Sequence, residues 1–248
     1  MAESKEKLLG TEETELEHPQ GEDWNEVERV ILRRRSVRGY KDKQVPENVI
    51  LRLIEAGRFA PSAANCQPWK FVVVRDKELI DGMQAFAQKM AKVFSFQLNW
   101  RTSPLGEKLA KLNSQIMIRL MPNILHPVPF GAVQLIADGD LKLFHDAPTV
   151  IFIMMDRRGA AKPQVDVGIC GQNIVLAAHS MGLGTCWVGF IELLKYSSKW
   201  KKFLGAQYPY QLCEAITVGY PVGDPDGMIA RETHTIEWHE GGQKKTLY

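Results

Sequence analysis

The run "DVGICGQNIVLAAHSMGLGTCWVGF", Asp166 to Phe190, is apolar around most of the circumference a helix would have, then breaks into a turn punctuated by glycines. A helix with so little polar surface must be buried. Its small residues, Gly168, Gly171, Ala177 and Ala178, let other backbone come close. Gly182 or Gly184 ends it. Beyond that point "GLGTCWVGF" reads as a turn that exposes successive backbone donors toward the edge of a planar ligand. The dinucleotide fingerprint GxGxxG is absent, because Trp187 stands where its third glycine would be.

Working outward, "WKFVVVRD" (69–76), "PTVIFIMMD" (148–156) and "AITVGYP" (215–221) are short, apolar or β-branched runs bounded by Pro, Asp or Lys. They suit buried strands. Upstream, Asp23 with Glu26 three residues on predicts a helix start. "VPENVILRLIEAGRFAPS" then places Val49, Ile50, Leu53, Ile54 and Ala56 on one helical face, with Pro46 and Glu47 opening the helix and Pro61 closing it. Between the first two strands, helical patches interrupted by proline predict a helical insert or lid over about 81–145, since a structureless loop of that length is improbable. Its side chains Phe94, Phe96, Trp100, Met117, Met121 and Phe130 suit either an adaptable apolar pocket or the insert's own small core. Residues 1–22 are charged and poor in apolar side chains, so a disordered tail is expected ahead of one α+β domain, 23–248.

The 248 residues carry a net charge of +2 with 45% hydrophobic and 24% charged residues, an ordinary soluble composition that argues against nucleic acid as a partner. The most apolar stretch, 118–137, contains Arg119, His126, Pro122, Pro127 and Pro129 and should not span a bilayer. Cys66, Cys170, Cys186 and Cys213 form no pair or cluster at metal-binding spacing, so no metal site is expected. With an acidic N-terminus lacking an apolar core, the expected compartment is the reducing cytoplasm.

Two further stretches bear chemistry. In "RRRSVRGYKDKQVP" (33–46), Arg34, Ser36 and Arg38 alternate, so an extended backbone points their side chains the same way. Guanidinium forks suit phosphate oxygens, although a solvated basic segment looks the same. In "APSAANCQPWKF" (60–71), Ser62, Asn65 and Gln67 lie between Pro61 and Pro68, a turn that offers a hydroxyl, amides and backbone N–H groups to a ligand, or that is simply a capped loop. His145 and His179 read as packed histidines, and Cys186 as a small packing residue.

Taken together and in order, Arg34-Arg35-Ser36-Val37-Arg38, "APSAANCQPWKF", "FHDAPTVIF", "DVGICGQNIVLAAHSMGLGTCWVGF" and "AITVGYPVG" followed by Arg231 resemble the FMN-dependent nitroreductase family, from about Trp24 to Trp238. The resemblance implies a nitroreductase-like, mostly antiparallel sheet flanked by helices, with a C-terminal arm, in an obligate-type homodimer. It implies FMN gripped by Arg34, Arg35, Ser36 and Arg38, with Arg34 at the phosphate and Arg38 nearer the pyrimidine edge. Pro61, Ser62, Ala63, Asn65 and Gln67 would reach the flavin from the partner subunit. Cys186, Trp187, Val188 and Gly189 would lie along the ring, Arg231 would meet phosphate, and Asp166 would approach the flavin.

The implied activity is reduction of nitroaromatic, quinone or similar flat small-molecule acceptors, with NAD(P)H or a separate ferredoxin as donor. Relatives that dehalogenate reductively or fragment flavin, and a flavin-binding redox protein without turnover, share the same residues. A reduced flavin is anionic at its N1/C2 edge, so a guanidinium there stabilises it, and hydride transfer through N5 requires no acid or base side chain.

Overall fold

The computed structural model describes residues 24–98, 112, 127–229, 231–232 and 234–247. The expected tail and the lid residues Trp100, Met117 and Met121 fall outside what it describes, as do the side chains of Phe96 and Phe130. The chain divides into two units, Ser36–Pro225 and Met1–Arg35 with Asp226–Tyr248.

The larger unit is built on a four-stranded antiparallel sheet. Its strands are β1 (Trp69–Val74), β2 (Thr149–Asp156), β3 (Gly184–Trp187) and β4 (Tyr210–Gly219), in the order β1-β2-β4-β3. β2 reads as an unbroken apolar run because both its faces are covered. Val150, Phe152 and Met154 join one core cluster, while Ile151, Ile153 and Met155 join another. Against the first face pack α3 (Lys77–Leu98), α4 (Pro127–Asp138), the 3-10 helix Gly189–Tyr196 and α6 (Ser198–Leu204). Against the second pack α2 (Glu47–Arg58) and α5 (Pro163–Ser180).

The helical patch near residue 83 becomes the single long helix α3. Inside it, Phe94 sets its ring 5.4 Å from that of Tyr196. Phe94 therefore serves the core between α3 and the 3-10 helix. Gln88 and Ser95 of α3 bond Ala137 O and the Gln134 side chain of α4.

Two details differ from expectation. The segment after α5 is not only a turn, because Gly184–Trp187 pairs with β4 as an edge strand. α5 ends in a Schellman motif, with Gly182 N–H on His179 O and Leu183 N–H on Ala178 O, and this geometry delivers the chain straight into β3. Nor is α5 buried all round. Ile174, Val175 and Ala178 are in the core, while Val165 and Ile169, one turn apart, are 53% and 37% exposed.

In the smaller unit, α1 (Glu26–Arg33) starts from Asn25, not Asp23. Asn25 Oδ1 accepts from the Glu28 N–H at 3.0 Å and the Glu28 carboxylate accepts from the Asn25 N–H at 2.8 Å, a reciprocal cap. α1 buries none of its residues. The C-terminal stretch is a hairpin, β5 (Ile236–Glu240) and β6 (Gln243–Leu247), joined by Gly241-Gly242 at φ 57° and 75°. Positive φ at both central positions is what a tight hairpin turn needs. Ile236 and Trp238 on β5 are exposed.

Candidate functional site

After Arg35 the backbone runs extended beside β3. Ser36 bridges Thr185, and the Val37 N–H donates to Thr185 O at 2.8 Å. Val37 turns inward and is buried, so its neighbours Ser36 and Arg38 face outward on one side. Tyr40 fastens the end of this segment. Its hydroxyl lies 2.8 Å from Val37 O and 2.7 Å from Thr217 Oγ1, and the Thr217 hydroxyl donates to Cys186 O at 3.2 Å. Burial pushes the Tyr40 phenol far above its usual range, so it acts only as a neutral hydroxyl. The result is a hydroxyl chain that locks the Arg38 segment to the backbone of β3.

A cavity of about 180 Å³ opens where these pieces meet. Arg38 stands on one side and the turn from Cys186 to Phe190 on another. Ala132 and Ile136 of α4 with Leu141 form an apolar wall, and Lys142, Leu143 and His145 complete the lining. The Val188 N–H is spent on Ala215 O at 2.9 Å, so it cannot serve a ligand. The first N–H groups of the 3-10 helix that begins at Gly189 have no partner within that helix. A Cβ on Gly189 would meet nothing within 4 Å, so the backbone there is open to a close neighbour. Trp187 lies across α5, and a Cβ built on Gly171 would sit 2.2 Å from its indole. That close approach of helix and ring sets the height of the turn.

His145 and Asp146 both have positive φ, 53° and 55°. The double bend sends the imidazole into this cavity and the carboxylate toward a neighbouring one of about 290 Å³ beside Tyr40, Gln44 and Arg75. Lys142, which lines the first cavity, reaches both Asp146 oxygens with its Nζ at 2.7 Å. Burial, and then the Arg38 guanidinium, hold the His145 pKa down at about 4 against the opposing pull of Asp146. An unfolded histidine titrates near 6.5, so between about pH 6.5 and 4 the unfolded chain binds more protons than the folded one. Stability should therefore fall as pH drops through that window. Urea unfolding of wild type and His145→Asn should show the acid-side loss shrinking in the variant, and an equal pH slope in both would clear His145 of it.

The 61–67 turn is built by its own side chains. Ser62 Oγ accepts from the Gln67 N–H at 2.9 Å and Gln67 Nε2 donates to Asn65 Oδ1 at 3.1 Å, while Ala64, Asn65 and Gln67 all take positive φ. Asp166, buried at the start of α5, accepts from the Ala63 N–H at 3.3 Å. In this chain Asp166 thus supports the turn, which leaves Pro61, Asn65, Cys66 and Gln67 exposed.

No residue of that turn lines the Arg38 cavity, so one chain brings Arg38 together with Cys186–Gly189 but does not add the 61–67 turn to them. In the smaller unit, Arg34 pairs with Asp226 as a β-bridge and Arg33 Nε bonds the Asp226 carboxylate at 2.8 Å. The Arg35 stem lies against Gly227, and Arg231 is exposed.

Tyr40, Thr217, His145 and the α4 wall were not legible as site residues. A hydroxyl chain between distant segments leaves no local pattern, and a left-handed histidine has no sequence signature. Among the described residues no three His, Cys, Asp or Glu side chains gather as a metal site, and no helix is long and apolar enough to cross a membrane. None of the four cysteines forms a disulfide. Cys170 is buried, which pushes its thiol up to about 12, and the Cys186 thiol donates to Trp187 O.

The comparisons with known proteins agree on one lineage. A Methanothermobacter thermautotrophicus protein that carries the name NADH dehydrogenase/NAD(P)H nitroreductase is 27% identical over 203 residues, covering 81% of this chain and 80% of its own length. A protein of the same name from Archaeoglobus fulgidus is 26% identical over 198 residues, covering 80% and 87%. The fold matches a Desulfitobacterium hafniense nitroreductase solved with bound FMN at a TM-score of 0.62 and 22% identity, across 84% of this chain and 96% of that one. The nitroreductase family profile itself matches residues 31–220, which takes in the Arg38 segment, the 61–67 turn, α5, β3 and β4, and this chain belongs to the nitroreductase family.

Proposed function

We propose that the protein is an FMN-dependent oxidoreductase that takes electrons from NAD(P)H and passes them to flat acceptors such as nitroaromatics or quinones. The observation that carries this reading is the cavity in which Arg38 faces the Cys186–Gly189 turn. The residues fit a flavin edge: a guanidinium for negative charge, an open backbone at Gly189 and an apolar wall. A cavity of about 180 Å³ is smaller than the roughly 300–1,000 Å³ of sites that enclose a ligand of this kind. One chain therefore supplies part of the site, and a second copy supplies the rest through its exposed 61–67 turn.

When bound, FMN supplies hydride acceptance and donation at one ring atom. The protein's part is placement and charge. Arg38 offsets negative charge at the pyrimidine edge, while Tyr40 and Thr217 hold its segment against β3. By the likeness to the family, Arg34 and Arg231 would be the residues that hold the terminal phosphate. Leu141, Ile136 and Ala132 exclude water from the cavity, and the 81–145 segment gives the pocket its acceptor preference.

The same reading includes a homodimer. The exposed Val165–Ile169 stripe of α5, the α1 helix with Val27 and Ile31 uncovered, and a hairpin showing Ile236 and Trp238 are apolar surfaces that a second copy would cover. An isolated two-stranded hairpin is marginal by itself, which suits an arm that docks on a partner.

The purified protein should be yellow, and should oxidise NADH or NADPH when a nitroaromatic or a quinone is added. A colourless protein that FMN does not reconstitute would end the reading. Arg34→Ala should weaken FMN by about 1.5–3 kcal/mol, the range for a hydrogen bond to a charged group, or roughly 10- to 150-fold in Kd by flavin-fluorescence titration. An unchanged Kd would remove Arg34 from the phosphate site.

A further inference from the structure

Among the described residues, three titratable side chains of the cavity are left unused by the proposed chemistry: Lys142, which is paired with Asp146, the Cys186 thiol, which donates to Trp187 O, and His145. His145 shares the lining with Arg38 and with the Cys186–Phe190 turn. The backbone reaches this placement through two successive left-handed residues, a conformation that side chains rarely adopt, and the same bend carries the acid of the pair, Asp146, away to Lys142. The charged or titratable groups around the imidazole are Arg38 from the segment before Tyr40, Lys142 and Asp146 from its own loop, and the Cys186 thiol from β3. Among the described residues, α4 and the 3-10 helix contribute Ala132, Ile136, Gly189 and Phe190, none of them titratable.

We propose that His145 is a proton-exchanging residue of this cavity, neutral while the ligand edge beside Arg38 is neutral, taking one proton from solvent when that edge becomes negative and returning it when the charge is withdrawn. The inference rests on the flavin reading above. A bound flavin that accepts hydride from NAD(P)H gains two electrons and one proton and is left with one negative charge. His145 takes up one more proton, so the site as a whole gains two electrons and two protons. On reoxidation the acceptor leaves with the hydride and one proton, and His145 is neutral again.

The physical cause is a reversal of the balance that keeps the imidazole neutral. Without an anion, burial and the Arg38 charge both disfavour imidazolium, which is why its pKa sits at about 4. A negative charge arriving beside Arg38 cancels the guanidinium's repulsion and adds an attraction of its own.

The test uses the full chain loaded with FMN. Imidazole nitrogen NMR at pH 7 follows His145, assigned through Phe144 and Asp146, in the oxidised and the anaerobically reduced protein. The expected result is a neutral ring that becomes imidazolium on reduction. In parallel, the flavin midpoint potential is measured from pH 6 to 8 in wild type and in His145→Asn, a residue that tolerates positive φ and does not titrate.

Each proton per two electrons changes the equilibrium tenfold per pH unit, about 30 mV for a two-electron couple. Wild type should show about 59 mV per pH unit and the variant about 30 mV. A ring that stays neutral in both states, or equal slopes in the two proteins, overturns the role of His145 while leaving the flavin reading in place. A chain that takes up no FMN removes both. Should His145→Asn fail to fold, the wild-type NMR comparison decides alone.

Discussion

Gly171→Leu is expected to destabilise the protein by about 3 kcal/mol, near the upper end for forcing extra carbon into a packed core, and to weaken FMN with it. Even the first added carbon would sit 2.2 Å from the Trp187 ring, with two more ring atoms at 2.9 and 3.0 Å. Neither partner can yield cheaply. Gly171 is on the buried face of α5, and Trp187 is anchored by the pairing of β3 with β4. The ring must leave, and the Cys186–Gly189 backbone that lines the cavity must shift with it.

For a chain of this size the loss corresponds to a fall in Tm of roughly 6–12 °C. Adding Trp187→Leu should restore part of the stability, because the two changes share one space and therefore couple. Gly131→Ala in α4 is the control, since a Cβ there meets nothing within 4 Å and helix propensity alone predicts a gain of up to about 1 kcal/mol. If Gly171→Leu melts and binds flavin like wild type, the account of how Trp187 sets the turn is wrong.

Ile169→Asp is expected to dissociate the proposed homodimer, raising its dissociation constant by at least about 100-fold, the equivalent of roughly 3 kcal/mol for an unpaired charge forced into an apolar contact. Ile169 is 37% exposed in the single chain and Val165, one turn before it, 53%, so the folded subunit can hold the carboxylate in water at little cost. The penalty falls on association alone. Sedimentation velocity should show wild type as a dimer at micromolar concentration and the variant as a monomer. Its thermal melt, no longer supported by association, should depend less on protein concentration. On the proposed reading, in which two copies share the site, flavin should be lost in step with the dimer. A dimer that persists in Ile169→Asp would place the interface elsewhere.

The outcome at α5 shows how far an apolar pattern can be read. Its all-round hydrophobicity predicted burial on every face. One chain covers only the face carrying Ile174, Val175 and Ala178, because periodicity registers burial without distinguishing the sheet of the same subunit from a second copy. The strand runs were legible for a related reason: β2 is continuous in Val, Ile, Phe and Met because two cores, one on each face, both demand it.

Sequence alone pointed to α1, α2, α5 and the patch that becomes α3, to three of the four strands of the main sheet and to the order of the site-bearing segments, since each is set by local periodicity, turn chemistry and residue type; it announced neither α4 nor α6. It also carried the likeness to the nitroreductase family. The fourth strand, Gly184–Trp187, was hidden because its pairing with Val218 and Thr217 is non-local, and a four-residue run of Gly, Thr, Cys and Trp has no alternation to announce it.

Only the tertiary structure decided that Tyr40 and Thr217 lock the Arg38 segment, that Asp166 braces the 61–67 turn, and that His145 enters the cavity while Asp146 leaves it. The reason is the same in each case. These placements depend on hydrogen bonds between residues as far as 177 positions apart and on a backbone bend that no side-chain pattern encodes, so they exist only once the sheet has brought its strands together.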